Sequence, residues 1–98
     1  MDKRTAVSIA KQYKRAVVDA IGPAKVYLFG SHSKGCARPD SDIDIAVVVP
    51  SITGDYLSMA ALLWRITMDV NTLIEPVLIE EVHPSPLYED ILQTGIVV

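Results

Sequence analysis

Tyr27 to Val49 reads YLFGSHSKGCARPDSDIDIAVVV. An apolar run ends at Gly30-Ser31, a polar loop with Gly35 and Pro39 follows, and Asp42-Ile43-Asp44 opens a second apolar run. The flanking segments, AKVYLF over 24–29 and DIDIAVVV over 42–49, are rich in β-branched and aromatic residues, and each stops at Gly or Pro. That pattern predicts two strands. HSKG between them reads as one helical turn or a loop. Side chains at i and i+2 of a strand share a face, so Asp42 and Asp44 project together while Ile43 and Ile45 project to the opposite side. Two carboxylates at the head of a strand that should be buried need a chemical reason.

Outward from this centre, residues 3–21, KRTAVSIAKQYKRAVVDAI, read as a helix. Val7, Ala10, Tyr13 (or Lys14), Val17 and Ile21 recur at helical spacing, with Lys and Arg on the other side. Gly22-Pro23 stops it. On the C-terminal side PSITG reads as a loop. Residues 55–70 read as an apolar helix with Asp55 as N-cap. NTLIEPVLIEE, 71–81, reads as a third strand, HPSP breaks the chain, and 86–94 reads as a short helix ended by Gly95 with an apolar tail. The order α-β-β-α-β-α on one small core implies an α+β, two-layer (α/β) domain: a small mixed sheet with helices packed on it. Residues 1–98 are expected to form a single domain.

Composition narrows the function classes. Half of the 98 residues are hydrophobic, and nine basic against twelve acidic residues give a net charge of −3. A mildly acidic chain lacks the basic surface that sequence-independent nucleic-acid binding needs. Apolar runs are too short to span a membrane. One cysteine, Cys36, allows no internal disulfide, which with the lack of a basic-then-apolar leader fits a reducing cytoplasm. A domain this small is expected to have modest stability or a partner.

The carboxylate pair has a complementary half. Two carboxylates on one face raise each other's pKa unless something neutralises them. Mg²⁺ does so with hard oxygen ligands, typically one or two carboxylates, water and substrate phosphates. Gly30 lets a phosphate approach the backbone, the Ser31 hydroxyl can donate to a phosphate oxygen, and Lys34 adds a cation. Asp40 and Ser41 read as turn formers.

Gly30-Ser31, ten intervening residues and Asp42-Ile43-Asp44 together resemble the signature of the nucleotidyltransferase superfamily related to DNA polymerase beta. The short chain is similar to its minimal nucleotidyltransferase (MNT) group, often paired as antitoxins with HEPN-domain toxins. The resemblance runs through nearly the whole chain and implies that superfamily's fold. It implies a third carboxylate on a following strand, matched here by Glu75, with Glu80 and Glu81 as weaker candidates. Many members carry Asp there. Pro76, just after it, implies a sheet edge or a strand irregularity. Many relatives also carry Arg where this chain has His32 and Lys34.

The resemblance implies nucleotidyl transfer, with ATP as donor, Mg²⁺ held by Asp42, Asp44 and Glu75, and Gly30, Ser31 and Lys34 at the phosphates. Glu75 either completes the metal site or takes the acceptor's proton. Little chain follows the third strand, so the acceptor site is shallow, made by oligomerisation, or brought by a partner in trans. That favours a macromolecular acceptor: an antitoxin adenylylating a tyrosine of a HEPN-type toxin. The alternatives are an antitoxin acting by binding alone, and a nucleotidyltransferase for a small molecule such as an aminoglycoside. His32, His83 and Cys36 read as ordinary loop residues, with His32 in reach of a phosphate. Leu62, Leu63, Trp64 and Met68 read as core, on a helix whose excess apolar face also suits a partner or dimer interface.

Overall fold

The computed structural model describes residues 1–98 except Pro39 and Thr53, so the loop expectation at these two positions lies outside the described residues. Helix α1 spans Lys3–Ile21. Asp2 caps it, its carboxylate accepting from the Thr5 amide at 2.8 Å, and the Gly22 amide closes the far end on the Val18 carbonyl. Strand β1 is Lys25–Phe29, the single turn α2 is Ser31–Lys34, and β2 is Ile43–Val49. Then come α3 (Tyr56–Val70), β3 (Ile74–Glu80), α4 (Pro86–Thr94) and the two-residue β4 (Ile96–Val97). Asp55 caps α3 as expected, accepting from the Leu57 and Ser58 amides.

The sheet runs β3-β2-β1-β4. β1 pairs antiparallel with β2 and β4, whereas β2 and β3 are parallel. Parallel neighbours need a crossover, and α3 supplies it. β3 is an edge strand, the place where Pro76, which has no amide to donate, is tolerated.

Alternation along the strands sorts the side chains into two layers. Val26, Leu28, Ile43, Ile45, Val47 and Val49 pack beneath α1 and α3, together with Ala6, Ala10, Tyr13, Val17 and Leu63. Each fully buried Val, Leu or Ile there contributes on the order of 1.5–3 kcal/mol. Tyr13 rather than Lys14 takes the inward position, and its buried hydroxyl donates to the Leu63 carbonyl at 2.7 Å, tying α1 to α3. On the reverse face Tyr27, Ala46, Val48 and Ile79 meet Ile91 of α4.

Three expectations need correcting. The third strand starts at Ile74, not at 71, because Asn71 ends α3 and its side chain accepts from the Leu73 amide at 2.8 Å, holding 71–73 in a turn. The apolar tail is a strand: Ile96 and Val97 add to the free edge of β1. Trp64 and Met68 are not core. They stand on the outer side of α3, 48% and 72% exposed, while Leu63 and Thr67 are the buried residues of that helix. Among the described residues, no helix is long and apolar enough to cross a membrane.

Candidate active site

The same alternation places the acidic residues. Ile43 and Ile45 face α1 and α3, so Asp44 faces the other side of the sheet, the one that carries α4. Asp42, one residue before β2, shares Asp44's parity. Sheet register then brings in the neighbours: Phe29 pairs with Asp44 across β1, and Glu75 pairs with Asp44 across β3. Side chains paired in register share a face. Two strands distant in sequence therefore set Glu75 beside the Asp42–Asp44 pair, where sequence reasoning expects the third carboxylate.

Gly30 comes close to this group from above. Its backbone lies at φ +74° and ψ −148°, a combination essentially confined to glycine. A methyl on its Cα would collide with the Asp44 Oδ2 and stand 3.1 Å from the Asp44 Cγ. The turn from β1 into α2 thus runs its bare backbone along the carboxylate. Ser31 opens α2, Ser33 Oγ donates to the Gly30 carbonyl at 3.0 Å, and Gly35 ends the turn in the left-handed region. The loop beyond is held by Ser41, whose hydroxyl accepts from the Arg38 amide at 2.8 Å, a turn role as expected.

The electrostatics are those of crowded anions. Burial raises the Asp44 pKa first, the Asp42 charge raises it further, and the His32 imidazole pulls the other way. Glu75 is pushed up by hydrogen bonding with the Asp42 side chain, then by burial and by the charges of Asp42 and Asp44. The donor set is wholly hard oxygen, which fits Mg²⁺. Among the described residues, no three His, Cys, Asp or Glu side chains are already gathered tightly enough to enclose an ion. An open set of this kind fits an ion that takes the rest of its ligands from substrate and water.

The structure separates other candidates. Lys34 reaches toward α4, 3.8 Å from Asp90, with both side chains about half exposed. Glu80 accepts from the Ile52 amide at 2.6 Å, and Glu81 pairs with Lys25 at 3.2 Å, so both serve the opposite end of β3 from Glu75. Cys36 and His83 are exposed loop residues. His32 departs from the loop reading: it lies within α2 and is buried. It is only 2% exposed, and its Nε2 has no hydrogen-bond partner among the described residues. It also lines a hollow of about 210 Å³ with Met1, Asp2, Lys3, Gly35 and Ala37. The available signal is its place as the one ring-bearing side chain in a turn of small and flexible residues.

Comparison with known proteins bears on this geometry. The profile of the nucleotidyltransferase domain family matches residues 10–92. No curated protein matches. A crystal structure of a protein assigned as a nucleotidyltransferase, from Sulfolobus solfataricus, superposes with a TM-score of 0.70 at 19% identity, covering 97% of this chain and 80% of its own. A mutant of the toxin-antitoxin MntA-HpeT, with two Asp-to-Glu changes two residues apart, gives 0.67 at 22% identity, covering 90% of this chain and 70% of its own. A toxin-antitoxin structure with AMP-PNP gives 0.65 at 23% identity, covering 89% and 70%. These similarities establish the fold. The profile match spans most of the chain and includes Gly30-Ser31, Asp42, Asp44 and Glu75, so the chain belongs to the nucleotidyltransferase domain family.

Proposed function

We propose that this nucleotidyltransferase is of the minimal, antitoxin type and transfers AMP from ATP to a hydroxyl of a partner protein, with a HEPN-type toxin as the acceptor. The observation that carries the reading is the meeting of Gly30's bare backbone with Asp44, on a face shared with Asp42 and Glu75. The AMP-PNP complex of a similar fold supports a nucleotide site of this kind, and the paired aspartates altered in MntA-HpeT have the spacing of Asp42 and Asp44.

In this mechanism Gly30 and Ser31 receive the β- and γ-phosphates, since the first amides of a helical turn have no internal acceptor. Lys34 leaves its exposed contact with Asp90 to add positive charge. Asp42 and Asp44 are the residues that would hold Mg²⁺, which when bound would offset charge on the phosphate oxygens. The acceptor oxygen bonds to the α-phosphorus as the bond from that phosphorus to the bridging oxygen breaks. Pyrophosphate leaves with the electron pair. Glu75, in register beside Asp44, takes the acceptor's proton.

The test is label transfer in a lysate of the source cells with Mg²⁺ and ATP labelled at either the α or the γ phosphate. A single protein band labelled only from the α position, absent with Asp42→Asn/Asp44→Asn, is the expected result. Equal labelling by that variant would overturn the assignment of the aspartates. Label on a small molecule instead of a protein would overturn the protein acceptor. No label, alongside toxin neutralisation that the double variant retains, would favour contact alone.

A further inference from the structure

The outer side of α3 carries a second pattern that the active site does not use. Leu57, Ala61, Trp64 and Met68 are all exposed, three of them by 72%, 48% and 72%. Their spacing of four, three and four residues is that of a coiled-coil seam. On a helical wheel this stripe lies nearly opposite Met59, Leu63, Ile66 and Val70, which face the sheet. Arg65, Ser58 and Asp69 line one flank, and Ala60 and Tyr56 the other. A solvent-facing helix gains nothing from such a seam by itself.

The order of side-chain sizes along the seam selects the occupant. Read about a point midway between Ala61 and Trp64, it is self-complementary when reversed. Ala61 then faces Trp64 of a second helix, twice, and Leu57 faces Met68, twice. Each large ring meets a small residue, the alternation that lets a helix pair close without a void. A parallel pair would set Trp64 on Trp64, Ala61 on Ala61, and the two Arg65 side chains near each other. The antiparallel pair also opposes the two helix dipoles.

We propose that α3 is a dimerisation helix, pairing antiparallel with α3 of a second copy of this chain about a two-fold axis between Ala61 and Trp64. Such an interface is isologous, the commonest kind in soluble oligomers. The seam offers on the order of 400 Å² per copy, and with the Tyr56 and Arg65 flanks the pair approaches the roughly 1,000 Å² that a specific interface needs. The inference does not depend on the reaction proposed above, since none of these residues belongs to that site.

The test is sedimentation equilibrium of the full chain from about 1 to about 100 μM, the weak end of the affinity range for interfaces of this size. The expected result is twice the chain mass at the upper end, and a single-chain mass for Trp64→Glu with unchanged circular dichroism. In a Cys36→Ser background, chains with Leu57→Cys mixed with chains with Met68→Cys should form a disulfide-linked pair, and neither should cross-link to itself. A single-chain mass throughout would overturn the proposal, even if the stripe then bound another protein. So would a dimer that survives Trp64→Glu, or self-cross-linking of the Leu57→Cys chain.

Discussion

Replacing Gly30 with alanine separates backbone strain from damage to the proposed active site. Its φ of +74° with ψ of −148° costs a side-chain-bearing residue about 1–3 kcal/mol. The new methyl also meets Asp44 Oδ2 head-on, with Cγ at 3.1 Å and Cβ at 3.3 Å. Asp44 has a short side chain anchored on a central strand, so the carboxylate must rotate away or β1 and β2 must part. Gly35 is the control: it has φ +77° and ψ 15°, and a methyl there meets nothing within 4 Å. Gly35→Ala should cost about 1–2 kcal/mol from the left-handed backbone alone. For a domain of this size each kcal/mol lowers the melting temperature by roughly 4–8 °C. Both variants should melt lower than wild type, but only Gly30→Ala should abolish nucleotidyl transfer. The decisive measurement is a cycle with Asp44→Ala. Removing the carboxylate relieves the collision, so Gly30→Ala/Asp44→Ala should be less destabilised than the sum of the single variants by at least about 0.5 kcal/mol. Strict additivity, or wild-type melting and activity for Gly30→Ala, would refute the claimed contact.

Asp44→Asn should melt higher than wild type at pH 7 in chelator without nucleotide, because the folded pKa is raised and the ionised form is therefore a cost. The native state holds that proton more tightly than the unfolded chain, so wild-type stability falls as pH rises from the usual carboxylate value of 3.8 through the higher folded value, and the gap closes in acid. Asp55→Ala should do the reverse: bonds from Ser58 and Leu57 lower its pKa, so its stabilisation is present at neutral pH and lost as pH falls through the folded value. Melting curves of the three proteins between about pH 3 and 7 distinguish these slopes. Tyr13→Phe removes the 2.7 Å bond to the Leu63 carbonyl and should cost about 1 kcal/mol by urea titration, with transfer intact. Lys34→Ala breaks only an exposed 3.8 Å contact with Asp90, so stability should shift by less than about 1 kcal/mol, while the KM for ATP, the proposed donor, should rise.

Sequence alone determined most of the local elements and the aspartate half of the candidate site. Periodicity and end signals placed α1 and α4 at their observed limits, since Gly22, Pro86 and Gly95 act within a turn of themselves. Strand parity put Asp42 and Asp44 opposite Ile43 and Ile45 without reference to any partner strand. Tertiary structure decided what depends on pairing. Glu75 stands beside Asp44 because β3 lies parallel to β2 in one register, and a shift of one residue would turn it to the other face. Ile96 and Val97 become a strand only because β1 has a free edge. His32 is buried and Trp64 exposed for the same reason: hydropathy ranks a side chain's preference for water, but the neighbouring elements decide which positions water reaches.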